Sequence, residues 1–136
     1  MRMHDHPAIN YPPYVWPEGK RCAVVFSLDL DAESPFLWIS RGQAVHHLGE
    51  IEQRRQGPRQ GLARVAALLA EYGIRGSFYV PGVVAETYPG LLPFLVEGGH
   101  EIAHHGYFHE RIEAIPVNHR WRQIINNIPT EIFKCM

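Results

Sequence analysis

Cysteine is scarce in this sequence of 136 residues: Cys22 and Cys135 are the two present, they lie near opposite ends, and no C-x-x-C occurs. A disulfide framework is therefore excluded. Cys22 opens an apolar run and is expected to be a buried small hydrophobe. Long apolar runs are missing too. No stretch approaches the roughly 18 residues a membrane span needs, and MRMHDHPAINYPPY lacks the apolar centre of a signal peptide. A cytoplasmic protein that does not enter a membrane is the expectation. Charge of one sign is also lacking: 13 Lys and Arg stand against 14 Asp and Glu, for a net charge of -1. Nothing here would attract a polyanion, so no nucleic-acid partner is expected. Arg54, Arg55, Arg59 and Arg64 cluster, but acids and glycines are mixed among them, which reads as a solvated helix face. Repeats and low-complexity segments are absent.

What remains is a composition 46% apolar and 20% charged, that of a globular chain with room for one core. Residues 1–20 carry Pro7, Pro12, Pro13 and Pro17, which argue for an extended arm. Cys22 to Leu28 is a continuous apolar run that fits a strand buried on both faces. Asp29, Asp31 and Glu33 gather at its carboxyl end. Residues 35–57 are polar and loop-like. RQGLARVAALLAEYG predicts a helix with Leu62, Val65, Leu68, Leu69 and Tyr72 inward and Gly73 closing it. Ile74 to Val80 predicts a second strand. AETYPGLLPFLVEGG predicts a second helix, with Pro89 in its first turn and Gly98-Gly99 at its end, and His100 to His104 a third strand. VNHRWRQIINNI fits a last helix with Val117, Trp121, Ile124, Ile125 and Ile128 inward. Strand, helix, strand, helix, strand argues for an α/β fold with a parallel sheet.

The segment HEIAHHGYFHE holds four histidines and two glutamates between His100 and Glu110. From its left end it reads H-E-x-x-H, the zinc-protease pattern, which works only on a helix. Gly98-Gly99 before it and Gly106 inside it leave that helix little room, so a strand starting after a turn is the better reading. From its right end, His105 and His109 stand four apart around Gly106, at the carboxyl end of the expected strand, where α/β folds place their sites. Neighbouring parallel strands would bring Asp29 and Asp31 beside them. Two imidazoles and a carboxylate make a common catalytic metal shell with positions left open. His4, His6, His46, His47 and His119 lack such a setting and read as structural or exposed; His104 would alternate away into packing.

These residues resemble a known family. SLDLDAES followed by HHGYFH is similar to the first two motifs of the polysaccharide deacetylases, the NodB-homology or carbohydrate esterase family 4 fold. The usual T-F-D-D-G appears as the variant Ser27-Leu28-Asp29-Leu30-Asp31-Ala32-Glu33, and the usual H-[ST]-x-x-H as His105-Gly106-Tyr107-Phe108-His109. The D-x-D spacing, H-G-Y-x-H, ISRG, SFYVPG and GGHEIAHHGY look most like the branch with peptidoglycan-deacetylase-like proteins and metal-independent allantoinases. The resemblance runs over residues 16–113 and implies a distorted (β/α) barrel that hydrolyses a non-peptide C–N bond, with a small-molecule or carbohydrate substrate. Position by position it implies Asp31, His105 and His109 as ligands of a divalent metal, zinc in the first place, and Asp29 as the general base. A backbone N–H after the second strand or near the site would help hold the oxyanion. Tyr107 and Phe108 read first as packing and second as the lining of the site mouth; Glu33, Arg41 and Glu110 read first as solvated surface. A barrel of this kind usually needs about 250 residues, and the family's later motifs, an Arg-Pro segment, a hydrophobic wall and a late acid histidine, lie past this sequence. Residues 21–136 are thus expected to be the N-terminal portion of a NodB-homology domain. Three outcomes are carried forward: a metal-dependent deacetylase of an N-acetylated saccharide, a cyclic-amide hydrolase, or an inactive fragment, which could pair with a partner or form a homo-oligomer.

Overall fold

The computed structural model of the chain describes residues 15–40 and 46–115. Three short strands, β1 (Ser27–Asp29), β2 (Ser77–Val80) and β3 (Glu101–His104), form one parallel sheet in the order β1-β2-β3. The helices α1 (Ser34–Ile39), α2 (Leu48–Gln56) and α3 (Leu62–Glu71) separate β1 from β2, and α4 (Gly82–Thr87) and α5 (Leu91–Glu97) separate β2 from β3. Because spatial and chain order agree, right-handed crossovers leave α3, α4 and α5 on one face of the sheet, a barrel-type winding with no reversal of strand order.

That face is the core. Phe78 and Val80 of β2 are fully buried against Leu62 and Leu69 of α3, Val84 and Ala85 of α4, and Leu91, Leu92 and Leu95 of α5. Burying each such large side chain stabilises by about 1.5–3 kcal/mol. The register pairs Leu28 with Phe78 and Phe78 with Ile102, so one row of side chains faces the helices. The next row, Asp29, Tyr79 and Ala103, faces the other way.

Several expectations are corrected. The first strand is only Ser27–Asp29; Val24 and Val25, at 91% and 78% exposure, make no buried strand, and Cys22 is exposed and free. An apolar run specifies burial only where neighbours exist on both sides, and among the described residues β1 has one, β2. The second strand starts at Ser77, three residues late. The described residues of 35–57, which exclude 41–45, are mostly helical: α1 and α2 form there, and α2 continues through a π-helical turn, Gly57–Gly61, into α3. The wider π turn accommodates Pro58, which has no N–H to donate. Along α3 the buried positions are Leu62, Ala66 and Leu69, whereas Leu68 and Tyr72 are exposed. A helix turning 100° per residue puts position 68 about 120° off that stripe. Pro89 does not open one helix but sits in the break between α4 and α5. The proposed arm is described only from Val15, where Pro17–Gly19 forms an exposed 3-10 turn; the last helix, Arg41, His4, His6, His119 and Cys135 lie outside the described residues.

Candidate metal centre

β3 is a strand, so His100 and His104 do not share a helix face and H-E-x-x-H forms no site. His100 instead is a buried brace. Its Nδ1 accepts a hydrogen bond from the Gly76 N–H at 3.1 Å, and its ring meets Phe78 edge-on. A Cβ at Gly98 would stand 2.9 Å from the His100 ring, so glycine there leaves the imidazole its place. His104 is half-buried, and its Nδ1 accepts from the Gly106 N–H at 3.3 Å.

Beyond the strand ends the alternation carries Asp31 and His105 to the face of Asp29 and Tyr79. His105 Nε2 lies 3.5 Å from Asp31 Oδ1 and 3.9 Å from Asp29 Oδ2, and His109 Nε2 lies 3.7 Å from Asp31 Oδ2. One donor atom from each of Asp31, His105 and His109 falls within 4.8 Å of the others. The His105 and His109 rings meet edge-on with centroids 4.7 Å apart, and Tyr79 lies edge-on to His105 at 6.1 Å. Tyr79 thus floors the site, a role that its place between two acidic and histidine-bearing strand ends could have signalled. Two left-handed residues shape the loops: Ala32 after the first acid pair, with φ 48°, and His109 itself, with φ 58°. Such a backbone costs a non-glycine residue roughly 1–2 kcal/mol, and strain of this kind concentrates at functional sites.

The donors fit a cation. Asp31 Oδ1 and His105 Nε2 are both buried and neither has a hydrogen-bond partner. Leaving such an atom unsatisfied costs about 1–3 kcal/mol. A proton on Nε2 cannot repair this, since 3.5 Å is too long for an N–H···O bond. Two donors that share a tetrahedral zinc at about 2.1 Å each stand about 3.4 Å apart, close to the separations found.

The histidine loop is tied to its neighbour. Gly82 N–H donates to Gly106 O at 2.9 Å and Val83 N–H to Tyr107 O at 3.0 Å. The next two amides, of Val84 and Ala85, both donate to Pro81 O. Every amide over 82–85 is therefore engaged, and Pro81 has none, which corrects the expectation of an oxyanion donor directly after β2. Gly106 has φ 73°, and a Cβ there would meet Glu110 Oε2 at 2.9 Å. Glu110 is half-buried rather than solvated and accepts from the Tyr107 N–H at 3.1 Å. Tyr107 donates its hydroxyl to Glu86 at 2.7 Å; that bond, with partial burial, pushes its phenol above the usual range. Phe108 stacks on Trp38 of α1 at 6.5 Å, so both aromatics pack as well as border the loop.

The largest miss is Glu33. It is 4% exposed, accepts from Arg55 Nε at 3.0 Å, and receives the Tyr88 hydroxyl at 3.0 and 3.2 Å on its two oxygens. Had the strand continued, Glu33 would share the face of Asp29 and Asp31; the left-handed Ala32 turns it into the helix layer instead. Burial first, and the bond to Glu33 second, push the Tyr88 phenol up. Two other arginines of the cluster pair along the helix surface, Arg54 with Glu50 and Arg59 with Glu52.

Known proteins resemble this chain in sequence and fold. The polysaccharide deacetylase family profile matches residues 56–132, a stretch that holds His105 and His109 and starts after Asp29 and Asp31. The chain is 32% identical over 110 residues to the peptidoglycan deacetylase-like protein FGM2 of Gibberella zeae, covering 79% of this chain and 32% of that protein. It is 28% identical over 92 residues to a peptidoglycan deacetylase of Helicobacter pylori, covering 68% of this chain and 31% of that one. The chain thus spans about a third of the length of these curated relatives. A solved Mycobacterium smegmatis protein described as a polysaccharide deacetylase superposes with a TM-score of 0.78 at 37% identity, over 86% of this chain and 40% of that one. Puue allantoinase superposes with a TM-score of 0.76 at 19% identity, over 92% of this chain and 48% of that one, a likeness of fold alone. The three parallel strands with their helices are a portion of a NodB-type (β/α) barrel. With more than half of its length inside the family profile, this chain belongs to the polysaccharide deacetylases, a family of hydrolases.

Proposed function

We propose that residues 21–136 contribute the metal-binding portion of a NodB-homology domain, behind an arm at 1–20, and that its reaction is the deacetylation of an N-acetylated saccharide. The observation that supports this best is the convergence of Asp31, His105 and His109 around two buried atoms without hydrogen-bond partners. Those three residues would hold a divalent cation, zinc in the first place. When bound, the cation supplies Lewis acidity, polarising an amide carbonyl and acidifying water.

The residues divide the remaining work. Asp29 is the general base: its side chain is 59% exposed, on the open side of the site, with Oδ2 3.9 Å from His105 Nε2. There its carboxylate can take a proton from attacking water while staying off the three-donor cluster. Tyr79 closes the floor beneath the imidazoles, and the loop at 106–108, with Trp38, borders the site. Hydrolysis of cyclic amides is the second reading; the H-G-Y-x-H and D-x-D forms favour it, and the allantoinase likeness adds only the fold.

Metal analysis of the purified 136-residue chain after saturation with zinc tests the centre. One equivalent is expected, lost in Asp31→Ala and His105→Ala; content near zero in the unsubstituted chain overturns it. A screen of acetate release from N-acetylated oligosaccharides against ring opening of hydantoins then separates the two chemistries.

A further inference from the structure

The Asp31 loop carries a buried ion pair whose place is unusual. Glu33 stands two residues after a proposed ligand, its side chain is 6% exposed, and its oxygens are satisfied by Arg55 of α2 and by Tyr88, just after α4. A buried carboxylate without partners costs several kcal/mol, so Glu33 has one place to go, where Arg55 and Tyr88 meet. Apolar side chains of similar volume would hold such a loop at least as firmly. The arrangement gains direction rather than stability.

Its neighbours tighten the same short segment. Ser34 is fully buried, and both its N–H and its hydroxyl donate to the Asp31 carbonyl, at 3.0 and 2.7 Å. Leu30 is buried, and its N–H donates to Tyr79 O at 2.9 Å. Asp31 is therefore clamped on both sides, and Ala32 with φ 48° is the pivot that lets Asp31 face the histidines while Glu33 faces the helices. Releasing Glu33 would let that strained pivot relax toward an ordinary conformation and swing the Asp31 carboxylate away.

We propose that Glu33, held by Arg55 and Tyr88, is a positioning residue that sets the Asp31 carboxylate against His105 and His109 for metal binding. The inference rests on the metal-centre reading above. Arg55 also pairs with Glu52 at 2.7 Å, but Glu52 is exposed, so only the Glu33 arm transmits to the site.

Cobalt(II) binding by the full 136-residue chain, followed by its visible absorption and set beside thermal unfolding without metal, tests this. Glu33→Gln is expected to weaken cobalt binding about tenfold or more, the scale seen when the groups supporting metal ligands are removed, and to alter the spectrum of what binds. Tyr88→Phe, which keeps the Glu33–Arg55 pair, should weaken it less and couple non-additively with Glu33→Gln. Glu52→Gln should leave affinity unchanged. A purely structural role would lower the unfolding temperature while leaving cobalt affinity and spectrum, measured well below that temperature, as in the unsubstituted chain; that result in Glu33→Gln, or in Tyr88→Phe should the first fail to fold, overturns the proposal. Cobalt uptake absent from the unsubstituted chain overturns the metal centre and this inference with it, whereas equal uptake by all variants overturns this inference alone.

Discussion

The two faces of the sheet are built from the same three strands and obey opposite rules. Toward the helices stand Phe78 and Val80 at 0% exposure, packed against leucines that differ little in chemistry. Toward the other side stand Asp29, Tyr79 and, past the strand ends, Asp31 and His105, half open and set by distances of 3.5–3.9 Å. One residue of register separates the rows. The first face is defined by volume and tolerates exchange of one apolar group for another. The second is defined by position, and it retains two buried polar atoms that a core would not tolerate.

The comparison can be broken most strongly from the core side. Phe78→Ala is expected to lower stability by about 3–5 kcal/mol, read by urea unfolding, and to abolish metal binding only as the fold is lost. From the site side, His105→Ala should weaken zinc binding at least about a hundredfold, close to 2.7 kcal/mol, by competition with a chromophoric chelator. It should leave the unfolding midpoint of the metal-free chain unchanged or raised, since it removes one of the unsatisfied atoms. Asp29→Asn sharpens the division within the site: zinc affinity within about threefold, with any hydrolysis slowed by about 10²–10⁴.

Smaller effects mark the border between the faces. The Tyr88 phenol is held above its ordinary value by burial and by Glu33, so the folded state keeps its proton when the unfolded chain gives it up. The stabilisation is complete below about pH 10 and is lost as pH rises through the folded value. Unfolding temperatures across that range should fall more gently in Tyr88→Phe. Least of all, Arg59→Ala, which removes an exposed pair with Glu52, should change stability by no more than about 0.5 kcal/mol.

How much of this was legible beforehand follows the same line between faces. Periodicity located α3, a short apolar run located β2, and the glycine pair that ends α5 located the start of β3. D-x-D and H-x-x-x-H pointed to the residues that the structure brings together, Asp31, His105 and His109, because strand alternation and a glycine turn are local. Glu33 was not legible: its partners are 22 and 55 residues away, and a single left-handed alanine reverses the side on which it falls. Cys22 and the valines after it misled for the converse reason, since apolar character states a preference that a strand with one neighbour among the described residues leaves unmet.

The two bonds from Gly82 and Val83 to Gly106 and Tyr107 carry a consequence for anyone who would redesign these segments. They tie the loop after β3 to the first turn of α4 as a single rigid part, so libraries that vary 106–108 and libraries that vary 82–83 sample one design variable. Side chains at 83, 107 and 108 can be exchanged with the backbone held, whereas Gly106, at φ 73°, cannot take one without strain. Insertions in the loop after β3 or at the start of α4 would misalign the other segment and take both histidines with it.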